Sequence, residues 1–260
     1  MTKLLASNII SQLDLEYLNA KHAIIFLDYD GTLVPFASTP DKAIPDEYII
    51  NLLKELIRKQ NLEVVLVSGR DKTIMEKWFG SLSIGLIAEH GAWLKNVNGK
   101  WQTLTSINAG WKNQALSITK SIADTLSGSI IENKDFSISW HFRLSDQNLV
   151  PDKIGALKDS ILPLVKSFNL ELLQGNFVIE IRNKGINKGK AVKTWLKTKK
   201  YDFILSIGDD RTDEDMFAAL EATNYTIKVG TGFTKAHYYM QDTEKVRQLL
   251  KNIAELPVAK

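Results

Sequence analysis

The feature that most constrains this chain is a short apolar run that ends abruptly in two carboxylates. Residues 23–27 (AIIFL) are rich in branched and aromatic side chains, which is typical of a strand buried on both faces. Side chains alternate along a strand, so Asp28 and Asp30 emerge on the same side. Two neighbouring carboxylates repel each other and together favour a divalent cation such as Mg²⁺. Gly31 permits a turn, and the Thr32 hydroxyl is able to bond an anion.

Strands and helices alternate over both ends of the chain. Apolar runs predict further strands over 62–67, 84–88, 202–207 and 225–229. Helical spacing of apolar residues predicts helices over 4–18, from Pro45 to about 57, 71–79 and 188–199, and at the C-terminus around 246–253. This alternation indicates an α/β fold with a doubly wound parallel-sheet, Rossmann-like core.

The pattern changes in the middle of the chain. Helical spacing over 109–127 and 151–168 alternates with pairs of short strands, at 129–133 and 136–143 and then at 170–174 and 177–182, with a hairpin turn predicted at 174–176. The order αββαββ describes a smaller α+β unit, and the parallel alternation resumes after it, which favours an insertion. We therefore predict a core formed by 1–106 and 184–260, and an inserted cap domain over 107–183.

Polar residues follow several of the predicted core strands. Ligands of doubly wound sheets bind at the carboxyl ends of the strands, and Asp28, Ser68, His90 and Asp209 all lie at such ends. The carboxylates of Asp28, Asp30 and Asp209 predict an oxygen-rich Mg²⁺ site. Ser68 offers a hydroxyl, with a backbone amide nearby, to a phosphate group.

Bulk composition excludes several classes of function. The 33 basic and 30 acidic residues leave a net charge of +3, which is too small and too dispersed to indicate nucleic-acid binding. The absence of cysteine excludes disulfides, thiolate zinc sites and a cysteine nucleophile. Neither a signal peptide nor an apolar run of about 18 residues is evident. We expect a monomeric cytoplasmic protein without a membrane partner.

The D-x-D-G-T motif at 28–32 resembles the first motif of the haloacid dehalogenase-type phosphohydrolases. The resemblance implies that Asp28 is the nucleophile, and that Asp30 acts as acid and base while binding the metal through its backbone carbonyl. It also implies that Asp213 orients a water of the metal without binding the metal directly. The lysine of the family's third motif corresponds to Lys188, which would neutralise nucleophile and phosphate.

Longer segments resemble one family of these enzymes, the trehalose-6-phosphate phosphatases. The resemblance covers 27–36 (LDYDGTLVPF), 67–70 (VSGR), 88–92 (AEHGA) and 208–217 (GDDRTDEDMF), together with the cap segments 132–143 and 174–182. It implies Mg²⁺-dependent hydrolysis of trehalose 6-phosphate, a phosphorylated disaccharide. The residues implied to contact substrate are Thr32, Ser68, Gly69, Arg70 and His90 in the core and Glu132, Lys134, Arg143, Asn176 and Glu180 in the cap.

Two alternatives stay open at this point. Another capped phosphatase, for sucrose phosphate or mannosylglycerate phosphate, would share the core and differ in the cap. A catalytically silent sugar-phosphate sensor is disfavoured by the intact Asp28, Asp30, Lys188 and Asp209. The chain departs from many family members at Asn183, where they carry a proline. Because 260 residues leave no room for the synthase domain fused to some relatives, we expect a stand-alone phosphatase.

Overall fold

A computed structural model describes residues 2–104 and 107–257. The chain divides into two compact units. The first comprises Met1–Ala37, Asp41–Leu104 and Asn187–Lys260, and the second comprises Ser38–Pro40 and Thr105–Ile186. The sequence predicts the first domain boundary between residues 106 and 107. Residue 106 lies outside the described residues, and the description resumes at residue 107.

The elements are numbered in chain order. The strands are β1 (Lys3–Leu4), β2 (Ala23–Leu27), β3 (Leu62–Val67), β4 (Gly85–Ala88), β5 (Trp93–Lys95), β6 (Trp101–Thr103), β7 (Ile130–Asn133), β8 (Ser137–His141), β9 (Leu170–Gly175), β10 (Val178–Asn183), β11 (Phe203–Gly208), β12 (Tyr225–Val229) and β13 (Tyr238–Met240). The α-helices are α1 (Ser7–Asn19), α2 (Glu47–Leu56), α3 (Lys72–Phe79), α4 (Lys112–Ala123), α5 (Val150–Phe168), α6 (Lys188–Leu196), α7 (Asp213–Phe217) and α8 (Thr243–Glu255).

Within the described residues, the first unit contains a mixed nine-stranded sheet in which β2 is the central strand. The strand order is β1-β13-β12-β11-β2-β3-β4-β5-β6, and among the described strands only the pairings of β5 with β4 and β6 are antiparallel. Ile25 and Leu27 of β2 face a core formed with α1, α2, α3 and α8. Ile24 and Phe26 face the opposite way, into a core with α6 and α7. Helices therefore cover both faces, and the predicted doubly wound parallel sheet is confirmed.

Helix α2 illustrates how local sequence builds this unit. The predicted apolar face is confirmed, since Ile49, Leu52 and Leu56 are buried. The helix begins at Glu47, two residues after Pro45, because the Asp46 side chain accepts a hydrogen bond from the Ile49 amide at 2.8 Å and caps the first turn. This cap fixes where the connection from β2 turns back onto the sheet.

The second unit is an antiparallel sheet with two helices. Its strand order is β7-β8-β10-β9, and the elements follow the predicted order αββαββ. One sheet face, which includes Ile138, Trp140, Ile179 and Ile181, forms a core with α4 and α5. The turn between β9 and β10 lies at 176–177 and not at the predicted 174–176, because β9 continues to Gly175, which pairs with Val178.

Several short elements were not predicted. Strands β5, β6 and β13 have three residues each, which is too short for a periodic pattern to show. The helix predicted from residue 4 begins only at Ser7, because residues 3–4 pair with β13 as strand β1. Across 2–104 and 107–257, none of the helices combines the length and the apolar character that crossing a membrane requires.

Candidate active site

Asp28 occupies the centre of the carboxyl edge of the sheet. It directly follows β2, and its amide donates to the Ile207 carbonyl of the neighbouring strand at 3.0 Å. Its side chain is buried, and Oδ1 accepts a hydrogen bond from Lys188 Nζ at 2.6 Å. Burial raises the pKa of Asp28, and the Lys188 ammonium opposes that rise. The Lys188 ammonium therefore favours the ionised form of Asp28 against the effect of burial.

Lys188 is the first residue of α6 and is almost fully buried. The Asn187 side chain caps this helix by accepting from the Lys190 amide at 2.8 Å. The Lys188 ammonium contacts Asp28 and also Asp213 Oδ1, at 2.7 Å. Burial alone would lower the pKa of Lys188, but the two carboxylates reverse this effect and raise it. The ammonium is therefore charged at neutral pH.

Asp213 organises the loop after β11. While Oδ1 accepts from Lys188, Oδ2 accepts from the backbone amides of Asp209 and Asp210 at 2.9 Å and 3.0 Å. The side chain is fully buried, and this burial together with the Asp28 charge raises the pKa of Asp213 to about 7. Both oxygens are thus already engaged, which suits a residue that shapes the site without binding a metal directly.

The acidic residues at this edge fit a divalent cation. Asp28, Asp209 and Asp213 have carboxylate oxygens within 4.8 Å of one another, and those of Asp213 already accept hydrogen bonds from Lys188 and from two backbone amides. Asp209 Oδ1 is buried and has no hydrogen-bond partner in the described part of the chain. Burial, followed by the charge of Asp28, raises the pKa of Asp209 to about 9. An unpartnered oxygen amid excess negative charge is the donor set that a hard cation such as Mg²⁺ prefers.

The loops after β3 and β4 contact each other beside this acidic group. The Ser68 hydroxyl accepts from the Arg70 amide at 3.1 Å, and the His90 amide donates to the Ser68 carbonyl at 3.0 Å. A Cβ at Gly69 would overlap the His90 ring where it now lies, so the glycine permits this close approach. Glu89 and His90 both have positive φ angles, of 46° and 54°. Such non-glycine strain concentrates at functional sites.

Thr32 and Asp30 complete the set predicted in the core. Thr32 is fully buried, and among the described residues its Oγ1 has no hydrogen-bond partner. Asp30 directs both carboxylate oxygens at the guanidinium of Arg70. All predicted core residues are thus placed at the carboxyl ends of β2, β3, β4 and β11 or at the start of α6 or α7.

The polar face of the second unit's sheet brings three predicted residues together. Lys134 Nζ lies 3.2 Å from Glu180 Oε2 and 3.9 Å from Glu132 Oε2. Ser139 joins this group by donating to Glu180 Oε2 at 3.0 Å, and His141 Nε2 lies 2.7 Å from Glu132 Oε2. The cluster is rich in groups that hydrogen-bond hydroxyls.

The other two predicted residues of this unit contact each other at the end of the sheet. Arg143 Nη2 donates to the Asn176 carbonyl at 3.5 Å, and its guanidinium carbon lies 4.8 Å above the Phe177 ring. The Asn176 side chain is exposed. The predicted sugar-contacting residues therefore form two groups, one on the polar sheet face and one at the turn between β9 and β10.

Sequence reasoning missed Lys228 and Ser139. Lys228 lies in the buried strand β12, and its ammonium donates to the Asp209 carbonyl. This hydrogen bond stabilises the loop after β11. A lysine inside an apolar strand was the available signal, because burying an ammonium is costly unless a partner accepts from it. Ser139 had no comparable signal, since its role depends on the registry that sets it opposite Glu180.

Gly31 provides a test of how tightly the acidic site is packed. Its φ is +82°, and a Cβ there would overlap the Asp209 carboxylate. Gly230 has nearly the same φ, +83°, but a Cβ added there would meet no atom within 4 Å. We expect Gly230→Ala to lower the free energy of unfolding by about 1–2 kcal/mol, from backbone strain alone. Gly31→Ala should lower it by more in urea unfolding, and equal losses would contradict this packing.

Comparisons with known proteins identify relatives of this chain. The chain is 36% identical over 244 residues to a bifunctional trehalose-6-phosphate synthase/phosphatase of Thermoproteus tenax, covering 94% of this chain and 33% of that protein. It spans between 25% and 33% of the length of the first three curated relatives it matches.

Solved structures extend the comparison to the fold. The C-terminal domain of C. albicans trehalose-6-phosphate phosphatase superposes with a TM-score of 0.89 at 29% identity, over 99% of both chains. A haloacid dehalogenase-like hydrolase from Bacteroides thetaiotaomicron, at 14% identity and a TM-score of 0.65, shares the fold over 90% of this chain and 100% of that one. The family model described as trehalose-phosphatase matches residues 26–249, and the chain therefore belongs to the trehalose-phosphatase family.

Proposed function

We propose that this protein hydrolyses trehalose 6-phosphate to trehalose and phosphate, using Mg²⁺ and an aspartyl-phosphate intermediate. The observation that carries the proposal is the buried Asp28 carboxylate, which is held by Lys188 at 2.6 Å beside Asp209 Oδ1, an oxygen with no hydrogen-bond partner among the described residues. A phosphatase of this kind needs a nucleophile, a fixed cation and a metal ligand at one sheet edge. Membership of the trehalose-phosphatase family supports the choice of substrate.

In the proposed mechanism Asp28 attacks phosphorus in line with the departing sugar oxygen, and the bond between phosphorus and that oxygen breaks. Asp30 donates the proton that the leaving oxygen requires. It then removes a proton from the water that attacks phosphorus and cleaves the aspartyl-phosphate, which releases phosphate and regenerates Asp28. Lys188 screens the repulsion between the carboxylate and the phosphate oxygens throughout.

Mg²⁺ would be held by the side chains of Asp28 and Asp209 and by the backbone carbonyl of Asp30. When bound, it supplies positive charge that polarises the phosphoryl group. Asp213 keeps the loop that carries Asp209 in place, through its hydrogen bonds to the Asp209 and Asp210 amides. Thr32, Ser68, Gly69 and His90 are proposed to bind the phosphate oxygens through hydroxyl, amide and imidazole groups.

The second unit is proposed to act as the cap that selects the sugar. Glu132, Lys134 and Glu180 offer acceptors and donors on one sheet face, and Arg143 and Asn176 offer further donors at its end. Carboxylates, amides and cations of this kind suit the hydroxyls of a disaccharide. The monomeric state, the cytoplasmic location and the absence of nucleic-acid and membrane partners stay predictions.

Metal removal tests the proposed chemistry. We expect EDTA to abolish phosphate release from trehalose 6-phosphate, and added Mg²⁺ to restore it, because the acidic site lacks a counter-charge without the metal. Asp209→Asn should raise the Mg²⁺ concentration for half-maximal activity at least ~10-fold. Mutating even the residues that support metal ligands lowers metal affinity by about 10–100-fold. Asp202→Asn, a change at the amino end of β11, is the control and should leave it unchanged. Full activity in EDTA would contradict the proposal.

A further inference from the structure

The guanidinium of Arg70 is engaged along one whole edge by Asp30. Arg70 Nε donates to Asp30 Oδ2 at 2.8 Å, and Arg70 Nη2 donates to Asp30 Oδ1 at 2.6 Å. This two-point geometry fixes the direction of a carboxylate as well as its distance, which a single contact does not. Asp30 follows the end of β2 and precedes Gly31, where the backbone turns, so the strand itself does not fix its side chain.

Arg70 is itself held from several directions. Its guanidinium carbon lies 4.7 Å from the ring centre of Trp78 and 5.5 Å from that of Tyr29. Its amide donates to Ser68 Oγ at 3.1 Å, and its carbonyl accepts from the Glu89 amide at 2.9 Å. Only 8% of the residue is exposed. The backbone of Arg70 and its guanidinium group are therefore both held in place. The residue is a rigid support for the carboxylate that it binds.

We propose that Arg70 is a positioning residue that acts through Asp30, in place of the direct substrate contact that the sequence predicts for it. This inference rests on the proposed function and deepens it, because it assigns the orientation of the acid–base carboxylate to a named side chain. Proton transfer requires the donor and acceptor within about 2.6–3.2 Å. A misplacement of about 1 Å costs on the order of 10²-fold in rate.

A double-mutant cycle between Arg70 and Asp30 tests the inference. Arg70→Gln should lower kcat on trehalose 6-phosphate about 10²-fold and change KM less than about threefold, because it disturbs orientation rather than binding. Asp30→Asn should lower kcat by about 10²–10⁴-fold. Adding Arg70→Gln to Asp30→Asn should change kcat by less than about threefold, because Arg70 acts only through the Asp30 carboxylate, which this background lacks.

Arg70→Lys separates charge from two-point contact. Lysine keeps the charge and most of the stem but lacks the planar fork, so we expect a loss within about threefold of that of Arg70→Gln. This variant also keeps the test decisive should Arg70→Gln fail to fold, which thermal unfolding of each variant would reveal.

Three results would overturn the inference. The first is an Arg70→Gln cost that is equally large in the Asp30→Asn background, and the second is a raised KM at unchanged kcat; each indicates direct contact with substrate or a general loss of structure. The third is an Arg70→Lys variant as active as the parent. A parent chain that is inactive on every phosphate ester overturns the proposed function together with this inference, whereas the three results above overturn the inference alone.

Discussion

Asp28→Asn is expected to abolish phosphate release from trehalose 6-phosphate, with a loss on the order of 10⁵–10⁶-fold in kcat. The amide nitrogen and oxygen of asparagine cannot attack phosphorus. Asp213, which is also bonded to Lys188, cannot take over this role, because its second oxygen accepts from the Asp209 and Asp210 amides. Asparagine has nearly the same size and can still accept from Lys188. The variant should therefore fold, and phosphate release under saturating Mg²⁺ measures the loss.

Asp41→Asn is the matched control for this change, because Asp41 is exposed in the short helical turn Pro40–Lys42, which contributes no residue to the proposed site. Its activity should equal that of the parent. Mass spectrometry after rapid quenching should find a phosphoryl group on the parent chain and none on Asp28→Asn. A variant with more than a tenth of the parental rate would remove Asp28 from the role of nucleophile.

Lys188→Met should produce the second large loss, in activity and in stability together. The Lys188 ammonium contacts Asp28 at 2.6 Å and Asp213 at 2.7 Å, so its removal leaves two buried carboxylates without their counter-charge. Breaking a buried ion pair by removing one partner costs about 3–5 kcal/mol. Both carboxylates then become harder to ionise, and a protonated Asp28 is no nucleophile. We expect kcat/KM to fall at least ~10³-fold at pH 7.

Lys190→Met is the control, since Lys190 lies in the same first turn of α6 but is exposed. It should change the free energy of unfolding by less than about 0.5 kcal/mol and leave kcat/KM unaltered. Urea unfolding and steady-state kinetics on the two variants supply both comparisons. A Lys188→Met protein within tenfold of the parent in kcat/KM would contradict a role for this ammonium in the reaction.

Local patterns in the sequence predict the central part of the fold well. The run at β2 is predicted because an apolar stretch bounded by carboxylates has few alternatives, and β3 is predicted with its observed bounds, Leu62–Val67. Strands β1 and β13 escape prediction because they are short and are defined mainly by their pairing with each other and with β12. Pairing between residues that are far apart in sequence leaves no periodic signal in either segment.

In the candidate site too, local sequence predicts the strand-end residues but not the contacts between residues that are far apart in the chain. The strand-end position of Asp28 follows from local sequence, whereas its partner Lys188 is 160 positions away and was assigned by resemblance alone. The pairing of Arg70 with Asp30 was not predicted, because the motif that contains Arg70 gives no direction for its side chain. The arrangement of the predicted sugar-contacting residues was not predicted either. Glu132, Lys134 and Glu180 lie close together on one sheet face because of the strand registry. Arg143 and Asn176 are in contact because of the position of the turn.

Trehalose 6-phosphate is the proposed substrate, and a panel of sugar phosphates distinguishes it from the alternatives. Phosphate release with Mg²⁺ would be measured on trehalose 6-phosphate, sucrose phosphate, mannosylglycerate phosphate and glucose 6-phosphate, with Asp28→Asn as the blank. We predict that kcat/KM is highest for trehalose 6-phosphate by at least about tenfold, a preference that a few hydrogen bonds to sugar hydroxyls supply. A tenfold preference for any other member of the panel would show that trehalose 6-phosphate is not the main substrate.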